Sequence, residues 1–424
     1  MRSRFVLFVY LCVFSFLGLL VACGGSTSNN NQSSNNNPSP GAAGPGSPGP
    51  GSSGSGGGGS TGSGSGGGSG SGSGASSGFV SYAYTAGTSA ITGYGVKADG
   101  SLTPLSGSPY AVSTGLNTNI VTNGANVYAT AADFRNLDVF SIDKASGALT
   151  LANTINPLTG DPVQGDLALG LALDHTGASL YVTLGLSDFD SGINVFTVGS
   201  GPNAQQIGFL PGPAIALPPP VFSPNNQFAY TSTCGVRVDG VFGYTRASDG
   251  TLKRMDPGLP LPPTRPGEAF CPASLAASAK GYVAIAWPHF DFASSNPGNE
   301  TFVKTYTINA DGTLTAVSNS EVLTASSKTN KTFLNFDPTG SFLAAAGDGG
   351  VQTFALSSNG ILAPIGSPQN AGVKFQSVAW DNTNHVFATT SNQLYVFNSS
   401  MGALAPAPGS PFAGDPSLTV LPLQ

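Results

Sequence analysis

Charge is the scarcest property of this 424-residue chain: only 8% of its residues are Asp, Glu, Lys or Arg, against about 25% in ordinary soluble domains. Fifteen side chains are basic and 21 acidic, a formal charge of −6. No window clusters Lys and Arg as phosphate-backbone binding requires, which excludes nucleic acid as a partner. Histidine is confined to His175, His289 and His385, with no close Cys/His spacing, so there is no zinc signature. Phosphate-loop and serine nucleophile-elbow motifs are also missing, and neither a metal nor another cofactor is expected. Asp188-Phe189-Asp190-Ser191-Gly192 hints at calcium, but the further acidic ligand of a full calcium loop is absent near Gly199. Helical periodicity of useful length is lacking too, which points to an all-β chain.

Glycine and proline are abundant, 59 and 32 residues. Much of the excess lies in residues 24–78, a Gly/Ser/Asn tract without a single Asp, Glu, Lys or Arg. No core can form there, and a flexible chain of that length spans roughly 40 Å. Before it, Arg2 and Arg4 precede an apolar run of residues 5–20 and the sequence Leu20-Val21-Ala22-Cys23-Gly24. Basic start, short apolar run and small residues read as an export signal. Its ending resembles the lipobox of bacterial lipoproteins, which implies a diacylglyceryl group on Cys23 and attachment to a membrane. Cleavage near Ala22, with Cys23 an incidental thiol, is the alternative. The expected organisation is a leader over residues 1–23, a disordered linker over 24–78 and a folded unit over 79–424. The expected site is the bacterial cell envelope, at an outer membrane or the cell surface.

A unit of about 50 residues recurs along the folded part. Its marker is a Gly turn before a Leu: Asp99-Gly100-Ser101-Leu102, Ser146-Gly147-Ala148-Leu149, Asp249-Gly250-Thr251-Leu252, Asp311-Gly312-Thr313-Leu314, Asn359-Gly360-Ile361-Leu362 and Met401-Gly402-Ala403-Leu404. A degenerate copy near Gly201 completes seven. Each unit contains four strand-like runs, as in residues 169–173, 180–183, 193–197 and a weaker fourth. Seven units of four strands predict an all-β, seven-bladed β-propeller with four antiparallel strands per blade. The order begins with a second-type run at Phe79 and ends with an inner-type run over 418–421. The C-terminal strand should therefore pair with the N-terminal blade and close the ring, leaving no free edge.

Asp337-Pro338-Thr339-Gly340 and Ser223-Pro224-Asn225-Asn226, followed by Phe-x-Tyr or Leu-Tyr-Val, a Val-Phe run and Gly-x-Leu, resemble the seven-bladed lactonase-type propellers. That family includes 6-phosphogluconolactonases and muconate-lactonizing relatives, and the resemblance spans residues 79–424. It implies His, Arg and acidic side chains near the central channel. The seven inner-strand openings, such as Asn117-Thr118-Asn119, Gly165-Asp166-Leu167 and Asp415-Pro416-Ser417, contain no His or Arg.

Loops joining second to third strands, and fourth to next first strands, share one rim. They bring Asp133, Arg135, Asp188, Asp190, Arg237, Asp239, Arg265, Glu268, His289 and Asp291 to the channel mouth. His289 is the histidine of that rim, and with Glu268 or Asp291 it could act as a general base; Arg265 could hold an anionic group. The other reading is a polar loop between Trp287 and Phe290, with arginines paired to nearby acids. Cys234 and Cys271 lie on neighbouring loops of the rim, where an oxidising compartment favours a disulfide; a reactive thiol is the alternative. The expectation is a lipid-anchored binding or scaffold module for a protein, glycan or small molecule at the rim. The alternative is a hydrolase of small sugar or muconate-type lactones using His289, Glu268, Asp291 and Arg265.

Overall fold

The computed structural model describes residues 78–131, 133–159, 167–185, 192–212, 218–233, 240–255, 269–270, 272–290, 297–324 and 332–423. All belong to the unit Gly74–Gln424. The leader, Cys23 and all of the linker except Gly78 lie outside the described residues.

The described residues form seven antiparallel sheets and no helix. Blade 3 shows the plan, from the axis outward: Leu167–Leu173, Ser179–Gly185, Gly192–Val198 and Ala204–Pro211. Blade 1 is assembled from both ends of the folded part. Ser417–Pro422 is its inner strand, paired with Phe79–Ala86 in the register Tyr82↔Leu421, Ala83↔Val420, Tyr84↔Thr419 and Thr85↔Leu418. The closure expected from the repeat order is the one observed.

The sequence explains the lower face, where first strands turn into second strands. In blade 3, Asp174 accepts the backbone N–H of Ala178 at 3.0 Å and of Ser179 at 3.2 Å, and the Thr176 hydroxyl at 2.9 Å. Asp337 repeats this in blade 6 with Ser341 N, Phe342 N and Thr339 Oγ1. An acid followed two residues later by Thr is thus a self-contained turn that satisfies otherwise orphaned donors.

The turns between third and fourth strands lock each blade to the one before it. Tyr84, Tyr181 and Tyr230 donate their hydroxyls to the carbonyls of Gly147, Gly250 and Gly312 in the next blade, at 2.7–2.8 Å. Thr353 reaches Gly402 in the same way. Gly312 has φ +84°, and a Cβ there would stand 2.3 Å from the Phe228 ring, so both conformation and space demand glycine. The marker glycines of the repeat are therefore inter-blade joints. The degenerate copy takes part as well: Asn126 donates to the carbonyls of Gly199 and Gly201 at 3.1 and 3.0 Å.

Among the described residues, three blades depart from a plain fourth strand. The chain breaks after Leu102–Pro104, Leu314–Ala316 and Ala403–Pro406, then adds a second short strand to the third: Tyr110–Ala111, Val322–Thr324 and Phe412–Ala413. Ser108, Ser320 and Ser410 fill the breaks by accepting the backbone N–H of Gly93, Thr305 and Val396. Each lies six residues beyond its marker leucine, Leu102, Leu314 or Leu404. In blade 6 the spacing from Leu362 to Ser367 is five. There Ile365 takes the place opposite Thr353, and Leu362–Gln369 runs on as one bulged strand. A cleft of about 120 Å³ remains between Thr353, Ser367, Gln369 and Leu404.

Candidate functional site

The seven inner strands face the central channel, and none of them carries an acid, a base or a histidine. They read LNTNIVT, LALGLAL, VF, SLAAS, TFLNF, SVAW and SLTVLP. In Thr332–Phe336, exposure alternates: Phe333 and Asn335 are partly exposed while their neighbours are buried. Among the described residues these strands offer the channel apolar, amide and hydroxyl groups.

On the upper rim, polar residues early in the third strands hold the loop arriving from the previous blade. In blade 2, Asp138 accepts from Ser113 N at 2.9 Å, Ser113 Oγ at 2.6 Å and Thr154 Oγ1 at 2.8 Å. In blade 3, Asn194 donates to the carbonyls of Pro157 and Thr159 at 2.8 and 2.9 Å and accepts from Gln206. In blade 1 the polarity is reversed: Thr92 supplies the hydroxyl and Asp415, on the loop, supplies the carboxyl. Asp415 opens the path into the closing strand, beside the channel. Burial pushes its carboxyl above the ordinary aspartate value, while the hydroxyls of Thr92 and Thr85 pull it down.

His289 lies near the end of the long strand Tyr282–Phe290, opposite Phe270 of the short strand Ala269–Phe270. The two rings sit 5.4 Å apart, and His289 is partly exposed. This hairpin extends past the inner strand Ser274–Ser278, so His289 stands on a projection of blade 5. Glu268, Asp291, Arg265, Cys234 and Cys271 lie outside the described residues, as do Asp188, Asp190, Arg237 and Asp239. Asp133 is engaged by its own turn, accepting from Arg135 N, Asn136 N and Asn136 Nδ2, and both it and Arg135 are exposed.

The other two histidines belong to the lower face. His175 lies in its turn with Nε2 3.2 Å from the Phe222 carbonyl. His385 opens the strand His385–Thr389 and is buried. Its Nδ1 is 2.7 Å from Asp381, which also accepts the Ser81 hydroxyl of blade 1 at 3.1 Å. Hydrogen bonds from His385 and Thr383 hold Asp381 below the usual carboxylate value against the upward pull of burial. Among the described residues no group of three or more His, Cys, Asp or Glu side chains is placed to hold a metal.

Sequence reasoning missed Asp415. Its loop was among the inner-strand openings, but what distinguishes it is the setting supplied by Gly87 and Thr92, more than 300 residues away in the chain.

No family model matches the sequence, and no curated protein matches it. Solved structures do. The periplasmic gluconolactonase of Pseudomonas aeruginosa aligns with a TM-score of 0.61 at 18% identity, covering 81% of this chain and 99% of that one. A candidate 6-phosphogluconolactonase of Bacteroides uniformis gives 0.59 at 17% identity, covering 81% and 100%. A protein of Lactobacillus plantarum gives 0.60 at 13% identity, covering 81% and 99%. The resemblance to lactonase-type propellers suggested by the turn motifs is thus found in the fold, and at these identities fold is what is shared.

Proposed function

We propose that this chain is an envelope-located binding module, tethered through a lipid on Cys23 and presenting its ligand site on the upper rim of the propeller. The observation that carries this reading is the charge-free wall formed by the seven inner strands. The described inner strands can fit a ligand by shape and neutral hydrogen bonds and carry no side chain suited to proton transfer. The leader, lipobox-like sequence and linker support the location. A glycan array probed with the propeller should show saturable binding to one ligand class without turnover of a lactone panel. Turnover of a lactone, with no ligand retained on the array, overturns the reading. The anchor has its own test: Cys23→Ser should move the protein from the membrane pellet to the soluble fraction.

The second reading is hydrolysis of a small lactone, favoured by the neighbour named as a gluconolactonase and by the projection of His289 beside Phe270. Here His289 would take a proton from water, with Glu268, Asp291 and Arg265 as its supporting groups. Lactone turnover that survives His289→Ala removes His289 from that role.

A further inference from the structure

In five blades one apolar residue of the third strand is paired with an apolar residue further out. Ile91 faces Tyr110, Leu137 faces Ile155, Ile193 faces Leu210, Val303 faces Val322 and Leu394 faces Phe412. In blade 6 the same register sets Val351 opposite Gln369. Cross-strand partners share a face of the sheet, so Gln369 stands where other blades place apolar bulk. Two of those places hold aromatic rings wedged between neighbouring blades. Tyr110 is buried in a cluster with Leu149 of blade 2, and the Phe412 ring lies 6.4 Å from that of Tyr94 in blade 1. The local sequence is otherwise kept: Gly107-Ser108-Pro109-Tyr110 and Gly409-Ser410-Pro411-Phe412 recur in blade 6 as Gly366-Ser367-Pro368-Gln369. Only the aromatic has been exchanged.

The exchange leaves the cleft of about 120 Å³ on the outer side of blade 6, walled by Val351, Thr353, Ile365 and, from blade 7, Leu404, with Ser367 and Gln369 completing it. Every residue lining it is uncharged. Gln369 is partly exposed and Ser367 exposed, and among the described residues neither side chain has a hydrogen-bond partner. An apolar cavity of about 150 Å³ takes up benzene, so this recess has room for one six-membered ring. Apolar walls with a few converging polar groups are the usual make-up of a small-molecule site. A metal cation would lack its several oxygen ligands, and an anion would lack a countercharge. We propose that the cleft between blades 6 and 7 binds a single neutral phenol ring, seated as Tyr110 and Phe412 seat theirs, with its hydroxyl to Gln369 and Ser367. Such a ring is carried by free phenols and by tyrosine side chains, and the probes below separate the two.

The test is saturation-transfer NMR and calorimetric titration of the full chain in detergent, with empty micelles as the blank. The probes are 4-hydroxybenzyl alcohol, a free phenol, and the capped tetrapeptide acetyl-Gly-Ser-Pro-Tyr-amide, which copies Gly107–Tyr110. At least one should bind saturably. Tighter binding of the tetrapeptide assigns the ring to a polypeptide, and tighter binding of the alcohol assigns it to a small molecule. Gln369→Tyr supplies the ring from within and should weaken binding about tenfold or more, while its melting temperature holds or rises. Gln369→Ala keeps the cleft open without the amide and should weaken binding about fivefold. Wild-type protein that binds neither probe overturns the proposal. So does a Gln369→Tyr protein that binds as well as wild type, since a ring held at the channel mouth would ignore this substitution. If Gln369→Tyr fails to fold, Gln369→Ala decides: binding equal to wild type overturns the proposal. None of these results bears on the rim, so the binding-module reading stands or falls separately.

Discussion

The two faces of the ring are built on opposite principles. The lower face repeats one plan with varied residues: Asp, Asn or Ser side chains close the turns, glycines seat against the preceding blade, and Tyr, Thr or Asn side chains reach across to them. Its buried ion pair, Arg246 with Asp174 at 2.5 Å, joins blade 4 to blade 3 and is reinforced by Tyr181 and Ser179. The upper rim assigns its loop-holding task to a different residue in each of blades 1, 2 and 3: Thr92, Asp138 and Asn194. Repetition marks the scaffold, and its absence marks where a ligand could be selected.

That contrast can be broken most severely at the closure. A chain ending at Pro416 loses the inner strand of blade 1, and calorimetry should show a cost above about 5 kcal/mol or no cooperative transition. Next, Asp174→Ala strands a mostly buried guanidinium and should cost about 3 kcal/mol by denaturant unfolding. Gly312→Ala should cost about 2 kcal/mol, whereas Gly366→Ala, at φ +64° with open space around it, should cost about 1 kcal/mol. Equal losses at the two glycines would show that close approach to Phe228 is unimportant.

The smallest effects are the most telling, because they differ in sign between the faces. Asp381 has a depressed folded pKa, so it stabilises the native state above the unfolded value of 3.8 and loses that contribution as pH falls through the folded value. Asp381→Asn should lower the melting temperature at pH 7 and flatten its decline below pH 4. Asp415 has a raised folded pKa and costs stability once ionised. Asp415→Asn should therefore melt slightly higher at pH 7, a gain that vanishes in acid. A lower melting temperature for Asp415→Asn at pH 7 would make it a structural group like Asp138.

Much of the scaffold was legible because its chemistry is local. Asp337 and Thr339 specify a turn from within five residues, and Asp311, Gly312 and Thr313 do the same for a hairpin. The closing strand could be read because residues 418–421 repeat an inner-strand pattern while the blade that opens at Phe79 has no inner strand of its own. The split fourth strands were not read, although a signal exists in the six-residue offset from Leu102, Leu314 and Leu404 to Ser108, Ser320 and Ser410. The rim was harder for a physical reason. Whether Asp133 or Asp415 is satisfied depends on what the fold brings beside it: Asp133 finds partners three residues away, while Asp415 meets Thr92 across 323 positions.

The pairing of Ser417–Pro422 with Phe79–Ala86 also imposes a timetable. During synthesis the first strand of the ring emerges some 330 residues before the one that completes its sheet. Until then an apolar edge stays unpaired and open to strands from other chains. A maturing copy is consequently most vulnerable to misassembly just before its last few residues arrive.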